Sequence, residues 1–77
     1  MSTQSITKNG QTVLCHGEWG VNTAVECSFD NDLFDCEYLD APDTWEDAVE
    51  NMTQFAVNNK IILLEMFVVE QNCTRCF

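Results

Sequence analysis

Residues 43–58, DTWEDAVENMTQFAVN, decide the fold class. Trp45, Ala48, Val49, Met52, Phe55 and Ala56 recur three and four residues apart, the spacing that puts side chains on one stripe of an α-helix. Glu46, Asp47, Glu50, Asn51 and Gln54 fall outside the stripe. Asp43, followed three residues later by Glu46, has the form of a capping box. The spacing predicts a helix over residues 44–58 that buries Trp45, Val49, Met52 and Phe55. Asn58-Asn59 end it, since asparagine tolerates the left-handed conformation that closes many helices. The following run, residues 61–70 (IILLEMFVVE), reads as a strand with apolar residues on both faces. It is interrupted by Glu65 and too short to cross a bilayer.

Upstream of the helix the period changes from 3.6 to two. Val21, Val25, Cys27 and Phe29, with Thr23 among them, alternate with Asn22, Ala24, Glu26 and Ser28, the pattern of a half-buried strand. Asn9-Gly10 stands between Ile6-Thr7 and residues 11–16 and favours a tight hairpin turn, because both residues accept positive φ. Asp30-Asn31-Asp32 reads as a turn, and residues 33–40 as a further strand with Phe34, Cys36 and Tyr38 on one face and Asp35 and Glu37 on the other. The whole chain, residues 1–77, is then a single domain with residues 1–5 as a loose tail. The expected class is α+β, a small antiparallel sheet in the order β-β-β-α-β with one amphipathic helix across one face. One helix covers one face only, so an apolar second face on the last strand would call for a cover: a second copy in a homodimer, or a partner protein.

Charge narrows the functional classes. The chain carries thirteen acidic residues and three basic ones, a formal net charge of −10, and no Lys or Arg between Lys8 and Lys60. Phosphate contacts normally use Lys or Arg, so this balance disfavours nucleic acid and anionic membranes as direct ligands. Nearly half of the residues are hydrophobic, which separates the chain from acidic disordered tails. The first residues lack the basic flank and apolar core of a signal or transit peptide, and the expected location is cytoplasmic. Five cysteines, an odd number without a secretion signal, read as reduced thiols rather than a disulfide framework.

The acids are the principal candidates for function. Carboxylates three or four apart on a helix lie about 5–6 Å from one another, comparable to phosphates along a strand of nucleic acid. Glu46, Asp47 and Glu50 meet that condition. With Asp30, Asp32, Asp35, Glu37 and Asp40 they would offer a basic protein groove an array resembling a nucleic-acid backbone. The competing reading is a solvated face that keeps the protein soluble. Trp19, in the Gly17-Glu18-Trp19-Gly20 loop, is either folded over the edge of the core or an exposed interface anchor.

Cys73-x-x-Cys76 offers half of a zinc site, but no second closely spaced pair completes it. The main reading therefore includes no cofactor, and a zinc module using Cys73 and Cys76 is the alternative. Asp30-Asn31-Asp32 lacks the glycine and distal glutamate of a calcium loop, whose places hold Asp35 and Ala41. His16 is the sole histidine, no nucleophile has a base motif around it, and no phosphate-binding glycine loop exists, so an enzyme is not expected. Asn51-Met52-Thr53 and Asn72-Cys73-Thr74 match a glycosylation acceptor pattern that has no consequence in a cytoplasmic protein.

In size, acidity and lack of catalytic motifs the chain resembles the small phage-encoded inhibitor proteins, among them anti-CRISPR, anti-restriction and DNA-mimic inhibitors. The resemblance rests on size and charge across the chain and on no specific motif. It implies stoichiometric inhibition in the host cytoplasm, the acidic face occupying a basic surface of a nucleic-acid-processing partner. A structural or assembly protein with a solubilising acidic face is a further alternative.

Overall fold

The structure, a computed structural model, describes residues 3–20, 24–39 and 42–70, the side chain of Glu70 apart. Strands β1 (Thr3–Lys8), β2 (Gln11–His16), β3 (Ala24–Phe29), β4 (Cys36–Tyr38) and β5 (Leu63–Glu70) form one sheet, and helix α1 (Trp45–Asn58) precedes β5. The class is α+β, a small sheet carrying one helix. Four strands, not three, precede the helix, and the sheet is mixed rather than wholly antiparallel. The sheet order is β1-β2-β5-β3-β4, so the last strand is central, and its pairing with β2 is parallel while the other pairs are antiparallel. A strand inserted between two earlier ones that run in opposite directions must be parallel to one of them.

The Asn9-Gly10 turn forms as read, with φ of 52° and 78°, and sets the register Lys8↔Gln11 through Thr3↔His16. Residues 3–5, assigned to a loose tail, are strand. The turn is tied to the helix: Asn9 Nδ2 donates to Thr53 Oγ1 at 3.0 Å and to the Glu50 carbonyl at 3.3 Å. Thr53 Oγ1 donates to the Val49 carbonyl at 2.7 Å, so a fully buried hydroxyl has partners on both sides. Gln11 extends the β2–β5 pairing with its side chain, donating to the Ile61 carbonyl at 3.1 Å and accepting from Leu63 N–H at 2.9 Å.

Both helix ends are set by chemistry one residue away from that expected. Thr44, not Asp43, is the N-cap: its hydroxyl accepts from Asp47 N–H at 3.1 Å. At the other end Lys60, not an asparagine, takes the left-handed conformation with φ 60°. Lys60 N–H then reaches the Val57 carbonyl (3.2 Å) and Ile61 N–H the Ala56 carbonyl (2.9 Å), the paired bonds of a Schellman motif, with Ile61 and Ala56 both buried beside them. The helix buries Trp45, Ala48, Val49, Thr53 and Ala56, with Met52 half-buried. Phe55, expected in the core, is 39% exposed. It stands at the edge of the stripe, where Thr53, small and internally hydrogen-bonded, takes the deeper position on the opposite edge.

The core lies between the helix and the sheet face bearing Val13, Cys15, Val25, Cys27, Phe29, Leu63 and Met66. Strand β5 does not present two continuous apolar faces. Register shifts opposite Ala24/Val25 and Ser28/Phe29 leave Leu64 and Val69 as extra residues. Leu63 and Met66, an odd and an even position, therefore both face the core, and Glu65 and Phe67 both face the open side. That open side carries Thr3, Ser5, Thr7, Thr12, Glu26, Ser28, Glu37 and Glu65, with Leu14, His16 and Phe67 among them. It is polar on β1, β3 and β4, whereas the central β2 and β5 leave Leu14, Leu64 and Val69 exposed and Phe67 half-buried outside the core. His16 stacks on Phe67 with ring centroids 4.6 Å apart, and its Nε2 lies 3.3 Å from Glu65 Oε2. Residues 33–40 are not one strand: residues Asp32–Phe34 form a 3-10 turn, η1, before the three-residue β4.

Candidate functional site

The expected binding residues fall into three groups. Glu46, Asp47 and Glu50 are exposed on the first half of the helix. Glu37 lies on the open face of the sheet, directly opposite Glu26, two like charges across neighbouring strands. Asp30, Asp32 and Asp35 gather in the turn between β3 and β4, and Asp40 lies outside the described residues. The turn is at the far end of the helix: Phe29 and Phe34 contact Phe55 edge-on with centroids 5.9 and 6.4 Å away. At 1.5 Å per residue, Asp47 is about 12 Å from Phe55 along the helix axis. The described acids are thus spread over the helix, the open sheet face and the turn. The carboxylates of Asp32, Glu37, Glu46, Asp47 and Glu50 have no cationic partner among the described residues.

The turn is the most highly built of the three. Asp30 clamps the start of β5 in both directions: its N–H donates to the Ile62 carbonyl (2.9 Å) and its Oδ1 accepts from Ile62 N–H (3.0 Å). Asp35 Oδ1 accepts from Phe29 N–H at 2.8 Å, closing the turn on itself. Asn31 caps η1, its Oδ1 accepting from Leu33 N–H at 3.0 Å while its carbonyl accepts from Phe34 N–H at 3.0 Å. Two of the three aspartates thus hold backbone in place with one oxygen each. Asp32 is left to present its charge, and Phe34 packs inward against Phe55.

The same geometry forces Leu33 outward, 90% exposed. Ile62 (47%) and Phe55 (39%) are exposed at this end of the molecule as well. Period-two reading had placed Leu33 in a strand and missed it; the available signal was Asp30-Asn31-Asp32, whose side chains favour local turns over ladders. An isolated exposed leucine is ordinary, but this one lies in a hydrogen-bonded turn between Asp32 and Asp35, at the end of the molecule that also exposes Ile62 and Phe55.

Trp19 is folded over the core edge. Its ring lies 4.6 Å from Trp45, tilted by 49°, and its Nε1 donates to the Pro42 carbonyl at 2.8 Å. Trp45 Nε1 donates to the Gly17 carbonyl at 3.2 Å, so the two indoles fasten the residue 17–20 loop to the helix start. Trp19 keeps partial exposure beside Asp43 and Thr44, at the mouth of an open depression of about 480 Å³.

Among the described residues no three His, Cys, Asp or Glu side chains are grouped to hold a metal ion, and no helix is long and apolar enough to cross a membrane. Cys73 and Cys76 lie outside the described residues. Burial lifts the Cys15 thiol to about 11 and the Cys27 thiol to about 12, so both rest protonated at neutral pH. Comparison with protein-family models, characterised proteins and solved structures gives no match.

Proposed function

We propose that this protein is a stoichiometric binding inhibitor, acting in the cytoplasm without catalysis, that docks on a basic surface of a nucleic-acid-processing protein. The observation that supports the reading is the turn over residues 30–35, where Asn31 bonds the Leu33 backbone between Asp30 and Asp35 and the leucine side chain stands almost fully in solvent. A surface that served only solubility would gain nothing from an exposed leucine. An interface gains an apolar anchor inside a charged rim, the arrangement in which a few central side chains carry most of the affinity. The acids of the helix and of β4 add long-range attraction, which speeds encounter with a cationic partner and weakens as salt rises.

The test is capture of partners from native host extract at low salt, with elution by rising salt. The expected partner is a basic nucleic-acid-binding protein, released competitively when its own nucleic acid is added. A captured partner that holds nucleic acid and this protein simultaneously, with neither weakening the other, would remove the backbone-mimic reading and leave a contact elsewhere on the partner.

A further inference from the structure

Cys27 and Cys36 are directly opposed residues of the antiparallel β3–β4 pair. Opposed residues of such a pair project to the same face with Cα atoms about 4.5–5.5 Å apart. That separation lies inside the range of roughly 4.4–6.8 Å that a disulfide spans. The two thiols differ in access: Cys27 is 2% exposed under the helix, whereas Cys36, on the edge strand, is exposed. Cys15 cannot substitute for either, because Met66 stands between it and Cys27 in the cross-sheet row Cys15–Met66–Cys27–Cys36.

From this register we infer that Cys27 and Cys36 form a redox-active pair that closes to a disulfide by exchange with a low-molecular-weight disulfide. The exposed Cys36 thiolate attacks one sulfur of the reagent and expels the other half as a thiolate, which takes up a proton. Cys27, deprotonated, then attacks the Cys36 sulfur of the mixed disulfide and expels the second half. The protein loses two hydrogens and gains one S–S bond; the reagent is reduced to two thiols. The ring so closed contains residues 28–35, the whole acidic turn, and joins the three-residue β4 covalently to β3.

The resting thiols are slow to react, because few of them are ionised. Burial, then the neighbouring Cys36 thiol, then the charge of Asp35 raise Cys27 to about 12; desolvation and Asp35 also raise Cys36, against a lowering contact with Cys27. Glu26, Asp35 and Glu37 line the shallow depression around the pair, and His16 and the two described lysines are not among its lining residues. An anionic surround favours a cationic reagent over an anionic one. Cystamine, a dication, is therefore the probe, and oxidised glutathione should react more slowly.

Reduced full-length protein is incubated with cystamine, alkylated and digested without reduction. Trypsin leaves both cysteines in one peptide, since no Lys or Arg lies between Lys8 and Lys60, so a protease cutting at aspartate is used. The expected product is a peptide pair joined through Cys27 and Cys36, formed about tenfold faster per pH unit from pH 7 to 8 as the thiolate fractions rise. In the Cys36→Ser variant, altered only at the exposed position, Cys27 should remain free. A cystamine adduct persisting on Cys36, Cys36 linked to Cys15, Cys73 or Cys76, or both thiols unmodified would each overturn the inference.

Discussion

Alanine in place of Gly17 should destabilise the protein far more than alanine in place of Gly10, although both glycines hold positive φ, 107° and 78°. At Gly10 an added Cβ meets nothing within 4 Å. The cost there is the conformational one alone, about 1 kcal/mol. At Gly17 the Cβ would stand 2.8 Å from Val68 Cβ and 3.2 Å from its Cγ2. Val68 Cβ is a branch point fixed to the central strand and cannot swing away as the end of a long side chain would. Strain at this φ, about 1–3 kcal/mol, and overpacking, about 1–3 kcal/mol, give a sum near 4 kcal/mol. A 77-residue domain has a stability of about 4–12 kcal/mol, and each kcal/mol moves its Tm by about 4–8 °C. Thermal unfolding followed by circular dichroism should show Gly10→Ala melting about 5 °C below the parent and Gly17→Ala at least 15 °C below it or already unfolded. Because the Gly17 carbonyl accepts from Trp45 Nε1, the second variant should also shift tryptophan emission. Equal losses in Tm for the two variants would refute the close passage of the loop over β5.

Lys60→Gly should stabilise by about 1 kcal/mol, since the left-handed residue of the Schellman motif is favoured as glycine; chemical denaturation reads the gain, and a loss would mean that the Lys60 stem contributes more than its strain costs. Alkaline pH should destabilise the reduced protein. Cys15 and Cys27 have folded pKa values raised from 9.0 to about 11 and about 12, so their contribution is complete below pH 9 and is lost as pH climbs through that window; melts under reductant should decline above pH 9 in wild type and less steeply in a Cys15→Ala, Cys27→Ala variant. Glu50→Lys, beyond the first helical turn, should leave stability within about 0.5 kcal/mol while slowing association with a captured partner most at low salt. Glu46→Lys, at the positive end of the helix, should slow association similarly but also cost about 0.3–1 kcal/mol of stability.

The elements that could be read from sequence are those with local causes. Asn9-Gly10 dictates its own turn, the 3.6-residue stripe from Trp45 to Ala56 dictates the helix, and Val25, Cys27 and Phe29 dictate which face of β3 is buried. What escaped depends on partners distant in sequence. Leu64 and Val69 become extra residues in β5 only because of the register that β3 imposes, and the shift turns Leu63 and Met66 together into the core. Parallel pairing of β2 with β5 likewise follows from where the helix returns the chain. Thr53 is tolerated at full burial because Asn9, far upstream, donates to its hydroxyl, while Phe55 stays on the opposite edge of the stripe. In the candidate site the acids were legible by composition, but their division among helix, sheet face and turn was not. Leu33 was hidden by an apparent alternation that Asn31 and Asp35 break through hydrogen bonds to backbone.

Leu33→Ala removes the proposed apolar anchor and leaves the acids around it in place. The substitution removes three carbons, about 2.4 kcal/mol of apolar burial at about 0.8 kcal/mol each, and a side chain 90% exposed in the free protein has nearly all of it, about 2 kcal/mol, to gain at an interface. Titration calorimetry against the captured basic partner should show binding weakened about 30-fold, with the Tm of the free protein unchanged. An unaltered Kd, with the variant folded, would contradict the account and leave the turn over residues 30–35 as a structural connection between β3 and β4.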